Sequence, residues 1–317
     1  MADVRHPGAM LRRAWLVNRP LTATGVLMAA LLVATSAGVL LDLRAITGQP
    51  AWAKPSRFAL SICLYSFTLL WLLTFVRGHD RLVRLVSLVT GVALTVEMVL
   101  IAGAAAAGTT SHFNFTTAAT SAVWLTMGGF ILLTWVMNLV AAVLLLLQRM
   151  DDRVLAWGLR LGVFIAAVGM AVAFLMTLST PRQDAAAAAG RGMPIGGAHT
   201  VGPDDGGPGL PVTNWSTVGG DLRVPHFVGL HALQVLPLVG LLLTLGPRRL
   251  APRYRTALVW IAALTYLGVM IILTWQALRA QPVTSPDGPT AGAFLALVAA
   301  ACAAVAVVFR RARTSAR

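Results

Sequence analysis

Apolar residues run through this chain in long unbroken stretches separated by short polar connections. Eight stretches stand out, at about 21–43, 58–76, 82–106, 118–147, 154–178, 227–245, 256–278 and 291–308. Each is close to the roughly 20 residues that carry a helix across a bilayer. The pattern predicts an all-α fold: a polytopic membrane bundle of eight transmembrane helices. The first stretch is too long for a cleaved signal peptide and is followed by further spans, so it reads as a retained helix.

Composition agrees. Of 317 residues, 57% are hydrophobic and 11% charged, against about 25% charged in soluble domains. The net charge of +14 would suggest nucleic acid in a soluble protein, but its distribution gives it another meaning. Arg5, Arg12, Arg13 and Arg19 precede the first span; Arg77, Arg81 and Arg84 follow the second; Arg149, Arg153 and Arg160 follow the fourth; Arg248, Arg249, Arg253 and Arg255 follow the sixth; Arg310, Arg311, Arg313 and Arg317 follow the eighth. These 18 basic residues share one side with four acids, Asp3, Asp80, Asp151 and Asp152, while the other side carries seven basic and six acidic residues. The positive-inside rule then places both termini in the cytoplasm. Anionic lipid of the inner leaflet is the partner expected for that surface, with no nucleic acid.

Read as one transmembrane domain over 1–317, the chain also divides four plus four, into 21–147 and 154–308. Both halves would start inside, so a duplication would be parallel. Pro55 to Phe58 and Pro225 to Phe227 precede the second and sixth spans, and Gly38 and Gly169 lie within the first and fifth. The largest connection, the outer loop 179–225, is rich in glycine and proline, which suits turns. Its His199, Asn214, Trp215 and Asp221, with His226 just beyond, equally suit a loop folded over the outer mouth of the bundle.

Glu97 is the only glutamate in the chain. It lies ~13 Å from the outer end of the third span, a depth that calls for a partner, a proton or an aqueous cavity. His231 and Gln234, three apart on the sixth span, share a face, and lie about 7.5 Å and 12 Å below His226. Glu97 and Gln234 are therefore expected at similar depth; if the third and sixth spans touch, Glu97, His231 and Gln234 form a cluster that opens outward through His226, with Glu97 and His231 the candidate catalytic pair. His112 and Asn114 stand at the outer mouth between the third and fourth spans. Four of the six histidines gather on the outer side, whereas His6 and His79 face inward beside arginines.

Outer histidines of this kind suit haem or a transition metal, because neutral imidazole supplies a nitrogen ligand and a carboxylate can ligate or orient it. The candidate metal set is Glu97, His112, His199, His226 and His231; the candidate cofactor-binding set is His112, His226, His231 and Gln234. Hydrogen bonding at the interface is the plainer role for His112, His199 and His226. Cys63 and Cys302 read as small buried apolar residues. No Cys-x-x-Cys, His-Glu-x-x-His or nucleotide-binding glycine loop is present.

The strings Ile46-Thr47-Gly48-Gln49-Pro50-Ala51-Trp52-Ala53-Lys54-Pro55, Ser111-His112-Phe113-Asn114 and Gly219-Gly220-Asp221-Leu222-Arg223-Val224-Pro225-His226-Phe227 resemble a group of integral membrane proteins of high-GC bacteria. That resemblance spans most of the chain and implies a bacterial inner-membrane location without a mechanism. The architecture is also loosely similar to haem A synthase, whose eight helices form two four-helix halves with histidines toward the outer side. The second span here carries Cys63 and Tyr65 but no histidine, so haem A synthesis is not carried over.

Three functions follow as expectations. The first is a haem- or metal-linked membrane oxidoreductase with an outer-leaflet site and a small hydrophobic or redox partner. The second is a proton-coupled transporter or lipid-modifying membrane enzyme using Glu97 and the histidines. The third is a non-catalytic binding or scaffold protein.

Overall fold

Asn18 ends one helix and begins the next. Its side chain accepts from the Leu21 amide while Pro20 occupies the first turn, where a missing N–H costs nothing. Caps of this kind recur at other helix starts. Asp152 accepts from Val154 and Leu155, Asp287 from Thr290, and Thr117 forms a reciprocal box with Thr120.

The computed structural model describes residues 7–246 and 250–315; Asp3, Arg5, His6, Arg248, Arg249 and Arg317 lie outside them. The helices are α1 (Pro7–Val17), α2 (Arg19–Leu41), α3 (Ala53–Leu73), α4 (Asp80–Ala106), α5 (Ala118–Leu147), α6 (Arg153–Val172), α7 (Pro181–Ala188), α8 (Arg223–Leu245), α9 (Pro252–Leu278) and α10 (Gly288–Thr314). A 3-10 turn, Ala173–Thr177, prolongs α6. Eight of these segments are long and apolar enough to cross a membrane, and the fold is an all-α polytopic bundle. Two boundaries differ from expectation. α3 begins at Ala53 and α8 at Arg223, so Pro55 and Pro225 sit inside first turns rather than ahead of them; a first-turn N–H has no helical acceptor, and proline is tolerated there.

The chain forms two compact units, residues 1–148 with 179–197, and residues 149–178 with 198–317. In the first, α2 and α3 pack antiparallel, and α4 meets both. Gly25 lies under the Phe67 ring and Gly38 under Trp52. Gly91 of α4 admits the Thr24 hydroxyl, and Asn18 donates to Ser87 at 2.6 Å. Where hydrocarbon removes the hydrophobic drive between helices, such small-residue approaches and polar contacts hold them together. A two-residue hairpin, β1 (Ala45–Ile46) with β2 (Gln49–Pro50), joins α2 to α3. Arg44 pairs with Asp42 and also donates to the Ala106 carbonyl at the end of α4.

In the second unit the dominant contact is a glycine seam between α6 and α8. Gly169 faces Gly229, Gly158 faces Gly240, and Gly162 faces Pro237. α9 packs on this pair through Trp157 against Trp260, with rings 4.7 Å apart, and through the Tyr266 hydroxyl donating to the Val228 carbonyl. α10 packs on α9 through Leu297 on Gly268 and leaves Leu295 and Val298 exposed, as suits lipid contact.

The stretch 179–225 is folded. α7 and the strand-like run to Gly197 belong to the first unit, where Phe115 donates to the Pro194 carbonyl and Gly196 to the Phe113 carbonyl. Beyond it, β3 (Thr200–Val201) pairs antiparallel with β4 (Gly220–Asp221) in the second unit. Gly220 rests against the Ala277 carbonyl so closely that a Cβ would overlap it.

Candidate functional site

Glu97 faces the interior of the first unit. It is 1% exposed, and neither carboxylate oxygen has a hydrogen-bond partner. Beside it on α4, Leu94 and Met98 form one buried cluster with Met28 of α2 and Ala59 and Ile62 of α3, against which Phe58, Tyr65 and Ala102 pack. A carboxyl in such a place is costly as a bare anion. Lys54 stands in the first turn of α3, the helix that supplies Ala59 and Ile62 to this cluster.

Lys54 is the only lysine among the chain's 25 basic residues, as Glu97 is its only glutamate. Nζ of Lys54 lies 3.1 Å from Nδ1 of His112 and 6.0 Å from the centre of the Phe58 ring. Because an ammonium has donors only, Nδ1 accepts and His112 is read as the neutral Nε2–H tautomer. Aromatic rings enclose the group: His112 is 5.3 Å from Trp124 of α5 and 6.2 Å from Phe58, and Phe113 is 4.8 Å from Trp124.

The loop that delivers His112 is held under strain. Phe113 is buried with φ of 60°, a left-handed conformation uncommon for a large side chain. It persists because neighbours fix it on both sides. Gly196 donates to its carbonyl, while Asn114 donates to Thr109 and Thr110 and accepts from Thr116. Strain of this kind concentrates at sites that need a set geometry.

From Glu97 toward the arginine-rich end, α4 presents Thr90 two turns on and Ser87 almost one turn further. Thr90 and Ser87 are buried, as is Ser66 of α3, and Ser87 meets Asn18. Tyr65 donates to Asn138 of α5 at 3.4 Å. The first unit therefore buries Asn18, Ser66, Ser87 and Thr90 besides Glu97, while Lys54 and His112 are half-buried.

The remaining candidates lie in the second unit. His231 donates from Nδ1 to Oε1 of Gln234 at 3.2 Å, and its ring packs on Phe227 with centres 4.3 Å apart. Here the expected shared face is observed. His226 donates from Nδ1 to the Gly169 carbonyl at 2.8 Å, which ties it to the glycine seam. His199 pairs with Asp205 at 2.5 Å. Burial alone would raise the Asp205 carboxyl, but hydrogen bonds and charge from His199, with a Thr200 hydrogen bond, hold it well below the usual carboxylate range. Asp221, 2% exposed, accepts from the Ser216 and Arg223 amides and pairs with the Arg223 guanidinium, which also donates to the Asn214 carbonyl. Asn214 and Asp221 are thus parts of the loop's own scaffold, and Trp215 packs against Phe227.

Among the described residues, no three His, Cys, Asp or Glu side chains form a metal-binding group. Glu97 and His112 belong to the first unit and His199, His226 and His231 to the second. His226 and His231 are five apart, about 140° around a helix, and each is engaged by a different neighbour. Lys54 was the residue that sequence reasoning passed over. Its signal was present, as the one lysine in a chain that otherwise uses arginine for every basic position. Compared with known protein families, with characterised proteins and with solved structures, the chain matches none.

Proposed function

We propose that this protein is a proton-coupled membrane transporter in which Glu97 binds the proton. One observation carries the reading: the only glutamate of the chain is buried and neither of its carboxylate oxygens has a hydrogen-bond partner. A carboxyl so placed changes its energy strongly with protonation, which is what coupling to a proton gradient requires. Thr90, Ser87 and Asn18 supply a polar exit, and Lys54 with His112 supplies the opposite entry. By the positive-inside rule, the arginine-rich end and both termini lie in the cytoplasm of a bacterial inner membrane, where anionic lipid meets the arginines. Lys54 and His112 then face outward. The test is an unbiased comparison of small molecules accumulated by cells expressing the wild type or Glu97→Gln at two external pH values. The reading expects solutes whose accumulation rises with external acidity and falls to the background of non-expressing cells in Glu97→Gln; identical profiles would overturn it.

A second reading, a haem- or metal-linked oxidoreductase, is favoured by one feature of the second unit. His226 and His231 both donate from Nδ1 to oxygen acceptors, the orientation by which ligating histidines leave Nε2 for a metal. It predicts an absorption band or bound metal in protein expressed with adequate cofactor, lost in His231→Ala; protein without either removes it.

A further inference from the structure

Of all the helices, α1 is the one the protein covers least. From Gly8 to Val17 only Ala14 is half-buried, and every other residue is exposed. The helix has 11 residues, about 16 Å of length, too few to cross a bilayer. Its direction is set at Asn18. The Asn18 backbone N–H donates to the Ala14 carbonyl at 2.8 Å and closes α1, while its side chain caps α2 and donates to Ser87 of α4. α1 is therefore anchored where the first span begins, at the arginine-rich end of its unit.

Its residues sort into two arcs. At about 100° per residue, Val17, Met10, Ala14, Leu11 and Trp15 fall within one arc of roughly 160°. Arg12, Leu16, Ala9 and Arg13 occupy the other side, with the two arginines standing at the two edges of the apolar arc. Met10 is 59% and Val17 54% exposed, and Leu11 and Trp15 are exposed too, so the protein does not bury the face that the sequence makes apolar. An 11-residue helix is marginal in water by itself, and burial of that face has to come from outside. Arg12, Arg13 and Arg19 are exposed, and no acid lies between Pro7 and Pro20. We infer that α1 lies in the plane of the membrane surface, its apolar arc at the boundary of headgroups and acyl chains, and that Arg12 and Arg13 bind the phosphates of anionic phospholipid.

Charge and position together select this occupant. A bilayer surface offers apolar depth bounded by negative charge, which is the order in which α1 presents Met10 and Leu11 between its arginines. Long arginine side chains at the edges reach back to the headgroups while the apolar arc stays immersed, and Trp15 is of the type that collects at this level. A second copy laid on the same face would bring arginine against arginine, which opposes it. An acidic soluble protein would satisfy the charges and leave the apolar arc bare. The inference goes beyond the transport reading and shares with it only the bilayer.

Nanodiscs, whose two faces are both open to solution, supply the bilayer for the test. The full chain carries Cys63→Ala and Cys302→Ala, with a bimane attached at Met10→Cys on the apolar arc or at Ala9→Cys on the opposite one. Iodide should quench the Ala9→Cys label and spare the Met10→Cys label, which spin-labelled lipid should quench instead. With the spin label on phosphatidylglycerol rather than phosphatidylcholine, each present as a minor lipid, quenching at Met10→Cys should be about fivefold stronger, the preference one arginine gives near an anionic surface. That preference should vanish when Arg12→Gln and Arg13→Gln are combined. Equal access of iodide to both labels, equal quenching by the two lipids, or a preference that survives without the arginines would each overturn the inference. A Met10→Cys label shielded from iodide and lipid alike would also overturn it, because protein would then cover the arc. Should the cysteine-free chain fail to fold, hydrogen exchange in the wild type decides. The amides of 11–17 should exchange roughly tenfold more slowly when phosphatidylglycerol is added to phosphatidylcholine nanodiscs, and equal rates would overturn the inference. None of these readouts involves Glu97, so failure here is told apart from failure of the transport reading.

Discussion

Alanine at position 169 would place a Cβ 2.5 Å from the Cα of Gly229 and 2.6 Å from its carbonyl carbon. Both are backbone atoms of α8, so no side chain can turn aside and the two helices must separate. Overpacking of this kind costs about 1–3 kcal/mol. Separation also stretches the hydrogen bond from His226 to the Gly169 carbonyl, worth about 1 kcal/mol. Against this, alanine is better than glycine inside a helix by about 1 kcal/mol. The net expectation is a loss of roughly 1–3 kcal/mol. Gly292 of α10 supplies the control within the same unit, because nothing lies within 4 Å of a Cβ added there. Gly292→Ala should be neutral or gain up to about 1 kcal/mol from propensity alone. Equilibrium unfolding of the full chain, from mild detergent into a denaturing one and followed by circular dichroism, measures both. Gly169→Ala as stable as the wild type would refute the close α6–α8 contact.

The Asp205 carboxyl, held well below its usual range, adds stability that is complete above the unfolded carboxylate value and lost as pH falls below it. Protection of Thr200 and Val201 from hydrogen exchange should therefore be full and constant near neutral pH and weaken below about pH 4. Asp205→Asn should lose that acid step; an unchanged profile would count against the His199–Asp205 clamp. Asp221→Ala leaves the Ser216 amide and the Arg223 guanidinium without their acceptor, and should cost up to about 3 kcal/mol. Its effect should appear first as faster proteolysis within 198–222, and a variant as resistant as the wild type would contradict the scaffold role. His226→Phe keeps the ring but removes the donor to Gly169; about 1 kcal/mol should be lost in the unfolding assay, whereas no loss would mean that the seam holds without it.

The eight spans were legible because membrane crossing is written in apolar length, a local property. Helix starts were less so. Pro55 and Pro225 were read as steps before helices, whereas a first-turn proline gives no sequence cue that separates the two cases. Depth was legible for Glu97, since rise per residue is fixed, but adjacency was not. Nothing local in Gly169 names Gly229 as its neighbour, and nothing in Asn18 names Ser87, 69 positions away in the chain. For the outer histidines the shared side of the membrane was legible, and nearness to a common point was not. Rotation around each helix decides that, and it directs His226 to the Gly169 carbonyl and His231 to Gln234.

The central claim is that the Glu97 carboxyl exchanges a proton with solution. Infrared difference spectroscopy of the full chain across a pH titration, with Glu97→Gln as the reference, reads that carboxyl directly. The account predicts a carboxylic-acid carbonyl band that grows on acidification, shifts on exchange into heavy water and is missing from Glu97→Gln. Spectra that stay the same for both proteins over the whole range in which they remain folded would contradict it.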